Sequence, residues 1–126
     1  MSELTCLELS VVLWLVHVVL QAATGNAALP FGYLFTSRDK PVAVKGLLYG
    51  RATRALANYV ENLAPFVALA LALIVTQRAG GLGATIWILG RIVYIPLYLF
   101  DIVYARTAAW AVSIIGLVMM LTRLMG

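Results

Sequence analysis

The fold is decided by the stretch Gly50-Arg-Ala-Thr-Arg-Ala-Leu-Ala-Asn-Tyr-Val-Glu-Asn-Leu-Ala-Pro-Phe66, which sets charged residues directly before an apolar run. In a helix, four polar side chains of this stretch share one narrow stripe. They are Arg51, Arg54, Asn58 and Glu61, and Pro65 continues the stripe. The apolar run that follows, from 63 to 76, covers about 21 Å, whereas the hydrocarbon core of a bilayer is about 30 Å thick. If this helix spans a membrane, part of the polar stripe must lie within the hydrocarbon core. Ionisable side chains at that depth indicate a functional site.

The composition is that of an integral membrane protein. Of the 126 residues, 63% are hydrophobic and 11% are charged, whereas about a quarter of the residues of a soluble domain are charged. We therefore expect one transmembrane domain, residues 1–126, without a separate soluble domain. The net charge of +4 is scattered among apolar segments, so we expect no nucleic-acid partner. Glu3 and Glu8 stand near the start in place of basic residues, so we expect no cleaved signal peptide.

The apolar segments predict an all-α fold, a four-helix up-down bundle in the membrane. We expect spans at about 5–24, 46–77, 84–104 and 107–124. Thr5 and Glu8 have the spacing of a capping box at the start of the first span. The glycine-rich segment 77–83 predicts a tight turn between the second and third spans.

Residues 24–45 predict a loop, because they contain several glycines and prolines. A helical extension of the first span at the start of this segment is the alternative. The cations Arg38, Lys40 and Lys45 place this loop in the cytoplasm by the positive-inside rule, with both termini on the opposite side. We favour a role for these cations in topology and in contact with membrane lipids over a role in substrate binding.

Neither the one histidine nor the one cysteine predicts a metal site, because each lacks a second ligand of its kind. We interpret His17 as a helix–helix contact and Cys6 as a buried or interfacial structural thiol.

The third span carries a polar stripe with the same spacing as the stripe on the second span. Its members are Arg91, Tyr94, Tyr98 and Asp101. We expect residues 101–106 to form a short cytoplasmic turn between the third and fourth spans. Counted from this turn, Arg91 lies on the order of 15 Å deep, a depth that Glu61 can share. We therefore expect an intramembrane ion pair between Glu61 and Arg91.

The two stripes together form a constellation in which cations outnumber carboxylates. It contains Arg51, Arg54, Arg91 and Arg106 with Asn58, Glu61, Tyr94 and Tyr98. An anionic ligand would complete it, since arginine suits bidentate carboxylate recognition, and Glu61 could take a ligand ammonium. The alternative is that these groups only hold the helices together, at roughly 0.6 to 2 kcal/mol for each contact. We favour the ligand site, because four arginines exceed what one buried glutamate and one boundary aspartate require.

Two motifs carry a family resemblance that covers essentially the whole chain. They are Arg51-Ala-Thr-Arg54-Ala-Leu-Ala-Asn58-Tyr-Val-Glu61 before Pro65-Phe66, and Gly90-Arg91-Ile-Val-Tyr94-Ile-Pro-Leu-Tyr98 followed by Arg106-Thr107. The chain resembles the MAPEG family, the membrane-associated proteins in eicosanoid and glutathione metabolism. The short, compact form looks most like its bacterial branch, and in function like a microsomal glutathione transferase.

The resemblance implies a homotrimer of four-helix subunits in a bacterial inner membrane, with glutathione as co-substrate at the subunit interfaces. By the motif match, the tripeptide would be held by Arg51, Arg54, Asn58, Glu61, Arg91, Tyr94, Tyr98 and Thr107, although Arg54 could instead brace the bundle. By the same resemblance, Arg106 matches the catalytic position. The chemistry agrees with this role, since an adjacent cation lowers the pKa of a thiol and raises its nucleophilic fraction. Ala57 departs from the pattern, since some members have a further arginine there.

Two functions of different classes follow. The first is a glutathione-dependent membrane transferase or peroxidase that acts on a lipophilic small molecule or lipid hydroperoxide. The second is a non-catalytic MAPEG-like subunit or assembly partner of a larger complex. Arg106-Thr107 favours the enzyme, because holding helices together requires no cation in that turn. A transporter has little support, since the chain is short and has no broken helices. The sequence does not specify the electrophile or choose among transfer, peroxide reduction and isomerisation.

Overall fold

The computed structural model describes residues 1–28 and 47–126. These residues form four α-helices, namely α1 (Glu3–Ala28), α2 (Leu47–Val75), α3 (Gly83–Leu99) and α4 (Val103–Met125). The predicted all-α fold with four helices is confirmed. Most of the predicted cytoplasmic loop, with Arg38, Lys40 and Lys45, lies outside the described residues, and the first residues of that segment, 24–28, belong to α1.

Three of these helices are long and apolar enough to cross a membrane. They are α1 over Glu3–Gly25, α2 and α4. The 29 residues of α2 extend about 44 Å at 1.5 Å per residue, so its polar first turns reach beyond a hydrocarbon core of about 30 Å. Helix α3 is apolar but has only 17 residues.

The start of α1 differs from the predicted capping box. The Ser2 hydroxyl accepts a hydrogen bond from the Thr5 backbone N–H at 3.1 Å, and the Cys6 N–H bonds to the Ser2 carbonyl at 3.0 Å. Ser2 therefore caps the helix, and Thr5 and Glu8 already lie inside it. The predicted capping box is wrong because the helix begins before Thr5.

Helix α3 ends at Leu99, five residues before the predicted end of the third span. Asp101 has a φ of 57°, in the left-handed region that terminates helices. The backbone N–H groups of Phe100 and Ile102 bond back to the carbonyls of Pro96 and Leu97. This turn satisfies the last carbonyls of α3 and directs the chain into α4.

An aromatic column forms the core where α1, α2 and α3 meet. The rings of Phe66 and Trp87 are stacked with centroids 3.9 Å apart, Tyr59 lies 5.8 Å from Trp87, and His17 is stacked on Tyr59 at 4.6 Å. All four side chains are buried. His17 therefore contacts a neighbouring helix, as we interpreted it from the sequence.

Helices α3 and α4 approach each other through small residues. A Cβ atom added to Gly116 would lie 2.6 Å from the Gly83 carbonyl oxygen and 2.8 Å from the Trp87 backbone nitrogen. One added to Gly90 would lie 3.1 Å from the Ala109 carbonyl oxygen. The two backbones are thus close enough that a methyl group does not fit between them at Gly116.

We therefore expect Gly116→Ala to destabilise the protein by about 1–3 kcal/mol, because the added methyl group meets backbone atoms of α3 that cannot rotate away. The measurement is the thermal midpoint of helix unfolding in detergent by circular dichroism. Gly50→Ala is the matched control, since its Cβ would meet only the guanidinium end of Arg54, at 3.2 Å. Equal midpoints for the two variants would contradict the close packing.

Candidate functional site

Arg91 lies in the middle of α3 with its side chain fully buried. Its Nη1 donates a hydrogen bond to Asn58 Oδ1 of α2 at 2.8 Å. Its guanidinium lies 4.3 Å from the ring centroid of Tyr94 and 5.5 Å from that of Tyr59. Its Nε and Nη2 atoms have no hydrogen-bond partner among the described residues. A buried cation with unused donors is costly, so a further acceptor would stabilise this site.

The predicted ion pair between Glu61 and Arg91 is wrong. Within the described residues, the ion pairs closer than 4 Å join Asp101 to Arg51 and to Arg106. Three residues turn a helix by about 300°, so Glu61 lies roughly 60° around α2 from Asn58. That rotation leaves Glu61 exposed, while Asn58 faces α3 and takes Arg91.

A second polar group surrounds Asp101, at the end of the bundle where α3 leads into α4. One Asp101 oxygen lies 3.6 Å from Arg51 Nη2 and the other lies 3.5 Å from Arg106 Nη1. Arg51 Nη1 also donates to the Leu99 carbonyl at 2.9 Å. Asp101 thus connects the first turns of α2 and α4, although its side chain is half-exposed and such pairs contribute roughly 1 kcal/mol or less.

Tyr98 links this group to Arg54 and Arg106. The Arg54 Nε donates to the Tyr98 hydroxyl at 3.2 Å. The Arg106 guanidinium lies 4.7 Å from the Tyr98 ring centroid, and the Tyr94 and Tyr98 rings are 5.5 Å apart. The tyrosines therefore form a continuous path from Arg91 to Arg106.

A cavity of about 280 Å³ opens beside these side chains, between α2, α3 and α4. Its lining consists of Asn58, Tyr94, Arg106, Thr107 and Trp110. This volume is close to the lower end of the range for small-molecule pockets, about 300 Å³. The cavity offers an amide, a phenol, a guanidinium and a hydroxyl next to an indole, so it suits a ligand that is polar at one end and apolar at the other.

The structure brings eight of the nine predicted site residues into one connected cluster, and Glu61 alone lies apart from it. The eight are Arg51, Arg54, Asn58, Arg91, Tyr94, Tyr98, Arg106 and Thr107. Sequence reasoning missed Trp110, Tyr59 and the bridging role of Asp101. Trp110 follows Arg106 by four residues, so helical periodicity could have placed both on one face.

Comparison with known proteins identifies one family. The family model described as the MAPEG family matches residues 7–126. A search of curated proteins gave no significant match, and neither did a search of solved structures.

Asn58→Ala should destabilise the protein by about 1.5–3 kcal/mol, because it removes the one hydrogen bond that Arg91 makes within residues 1–28 and 47–126. Asn62→Ala is the matched control, since Asn62 lies one turn further along α2 and its side chain donates only to the Asn58 backbone carbonyl, at 2.8 Å. The measurement is again the thermal midpoint in detergent. If Asn62→Ala lowered the midpoint as much as Asn58→Ala does, the destabilisation could not be attributed to loss of the hydrogen bond between Asn58 and Arg91.

Proposed function

Since the chain belongs to the MAPEG family, we propose that it is a glutathione-dependent membrane transferase or peroxidase acting on lipophilic electrophiles. The chain is an integral membrane protein. Its family includes glutathione transferases and peroxidases as well as non-catalytic members. The choice among these rests on the chemistry of the site.

One observation carries the proposal, the buried guanidinium of Arg91, whose Nε and Nη2 have no hydrogen-bond partner within the described residues. Its contacts Asn58 and Tyr94 line the cavity. No carboxylate of the described residues lies within 4 Å of the guanidinium. Glutathione carries two carboxylates and one ammonium group, so it can supply the missing anion. Arginine is suited to this task because its planar fork matches a carboxylate with two parallel hydrogen bonds.

The remaining side chains have roles that follow from their chemistry. The donors Arg51, Arg54, Asn58, Tyr94, Tyr98 and Thr107 would hold the peptide along the cluster. Glu61, which lies apart from this cluster within one chain, would take the ammonium group at an interface between two copies. Arg106 lines the cavity, where its fixed positive charge would favour the thiolate of glutathione over the thiol and so raise the nucleophilic fraction.

The proposed chemistry begins when the thiol proton leaves to solvent. In transfer, the thiolate forms a bond to an electrophilic carbon and the leaving group departs with its electron pair. With a hydroperoxide, the thiolate attacks one oxygen and the O–O bond breaks. A second glutathione then displaces that oxygen from sulfur, so that the products are the alcohol, one water molecule and glutathione disulfide. Lipophilic substrates would enter from the bilayer, in which the apolar helices lie.

The same proposal includes a homotrimer. Glu61 lies midway along a helix that spans the membrane, yet it is exposed on the single chain. An ionised carboxylate that faces hydrocarbon costs several kcal/mol, so a second copy that covers this face would remove the penalty. We further propose a bacterial inner membrane, because the short, compact form resembles the bacterial branch of the family. The cations at 38, 40 and 45 support a site toward the cytoplasm.

A second candidate function is a non-catalytic subunit of a larger complex. The observation that favours it is the shared Asp101, which already partners Arg51 and Arg106 and so gives both cations a structural role. In that case the cluster would hold the helices together and would bind no thiol.

The two functions differ in the effect of Arg106→Gln. We expect this variant to bind glutathione in a calorimetric titration nearly as the unaltered protein does, but to turn over a model electrophile about 100-fold more slowly, because the thiolate loses its cation. Arg91→Gln should lose saturable binding, and Asn62→Ala is the control that should retain both properties. No binding of millimolar glutathione by the unaltered protein would favour the subunit.

Assembly can be tested separately. Native mass spectrometry from detergent should give a protein mass of three times the 13.7 kDa chain, because three copies can each cover the Glu61 face of a neighbour. A single chain that persists at high protein concentration would overturn the trimer. It would also leave the exposed Glu61 without a protein partner.

A further inference from the structure

A separate cluster of charged groups lies at the end of the bundle opposite Arg106. It is built from the start of α1, the turn between α2 and α3, and the end of α4. Glu3 is its acidic member and is 2% exposed. Both carboxylate oxygens of Glu3 accept the Gly80 backbone N–H, at 3.0 and 2.9 Å. Gly80 has a φ of 106°, a conformation that favours glycine and that aims its N–H at Glu3.

The charge of Glu3 is not compensated within the described chain. No arginine, lysine or amino terminus of those residues lies within 4 Å of its oxygens. A carboxylate offers about four acceptor positions, and a single neutral N–H occupies little of that capacity. A buried carboxylate of this kind is stable when a cation joins it, because unpaired buried charge is costly.

Arg78 and Arg123 are the basic members of the cluster. Arg123 Nε donates to the Arg78 carbonyl at 2.5 Å, and its Nη2 donates to the Ala79 carbonyl at 3.0 Å. Arg78 Nη1 donates in return to the Leu124 carbonyl. These bonds tie the turn to the end of α4 but use neutral acceptors. No carboxylate in the part of the chain that the structure describes lies within 4 Å of either guanidinium, and each retains further donors.

A cavity of about 280 Å³ lies between Glu3 and Arg123. Glu3 and Arg123 form its polar wall, and Leu73, Met119 and Met120 form its apolar wall. Leu82, which also lines the cavity, is 67% exposed at the rim. Since three spans begin or end here, this cavity lies where lipid headgroups meet the apolar part of the helices.

We propose that this cavity binds a phosphatidylethanolamine-type phospholipid by its headgroup. The primary ammonium donates to Glu3, and the phosphate accepts hydrogen bonds from Arg123. The acyl chains leave past Leu82 into the bilayer, since the cavity is too small for a whole lipid. Phosphatidylcholine fits less well because its quaternary ammonium has no N–H to donate. Phosphatidylglycerol lacks the cation that Glu3 requires.

The experiment is a lipid competition measured by native mass spectrometry. Delipidated protein in detergent is exposed to equal amounts of phosphatidylethanolamine, phosphatidylcholine and phosphatidylglycerol with identical acyl chains. We expect phosphatidylethanolamine to be retained about tenfold over either competitor, because a charge-assisted hydrogen bond of about 1.4 kcal/mol or more corresponds to that ratio. If the unaltered protein retained all three lipids equally, or preferred phosphatidylglycerol, the proposal would be overturned.

Two substitutions test the assigned groups. Glu3→Gln can still accept the Gly80 N–H but has no charge, so it should abolish the preference for phosphatidylethanolamine over phosphatidylcholine. Glu8→Gln is the matched control, since Glu8 lies on the same helix, is exposed and should leave the preference unchanged. Arg123→Gln should lower the retention of all three lipids. If Glu3→Gln keeps the helix content and thermal midpoint of the unaltered protein and still prefers phosphatidylethanolamine over phosphatidylcholine, Glu3 does not bind the ammonium group.

Discussion

The structure depends on one constraint, the enclosure of the Arg91 guanidinium among helices that are otherwise apolar. A cation at that position needs an acceptor from another helix, and Asn58 of α2 provides it. The faces of Tyr59 and Tyr94 supply the rest of its surroundings. Because Tyr59 also donates to the Ser10 carbonyl at 2.5 Å and stacks on His17, α1 takes part in the same arrangement. Three helices are thus positioned around a single charge.

Apart from Glu61, the other charged side chains of the described residues lie toward the two ends of the bundle, and each end is organised differently. Around Asp101, carboxylate and guanidinium groups meet directly and join the first turns of α2 and α4. Around Arg123, guanidinium groups bond to backbone carbonyls, and the carboxylate of Glu3 takes a backbone N–H. The first end has a surplus of cations next to a cavity. The second end holds both signs of charge apart from each other, with a cavity between them.

Much of the fold and most of the candidate cluster could be predicted from the sequence, because both depend on helical periodicity. The stripes on the second and third spans place Asn58 and Arg91 on facing helices, and the structure has them in contact. Periodicity predicts which residues share a stripe, but not which member of the stripe faces the neighbouring helix. For this reason the predicted Glu61–Arg91 pair was wrong. The early end of α3 depends on the left-handed conformation of Asp101, for which its neighbours in sequence give no signal. Trp110 was missed because an aromatic residue in an apolar span is typical of a lipid-facing wall.

The glycine contacts between α3 and α4 bear on how the cavity at Arg106 could change its width. Where backbones touch at Gly83 and Gly116, there are no side chains that can rearrange to let the helices slide. The hairpin of α3 and α4 therefore moves as one unit, and the separation of Tyr94 from Arg106 is fixed. Helix α2, in contrast, is held to this hairpin near the cavity by polar contacts from Arg51, Arg54 and Asn58 that a ligand could replace. Binding of a ligand in the cavity would thus displace α2 and leave the hairpin of α3 and α4 in place.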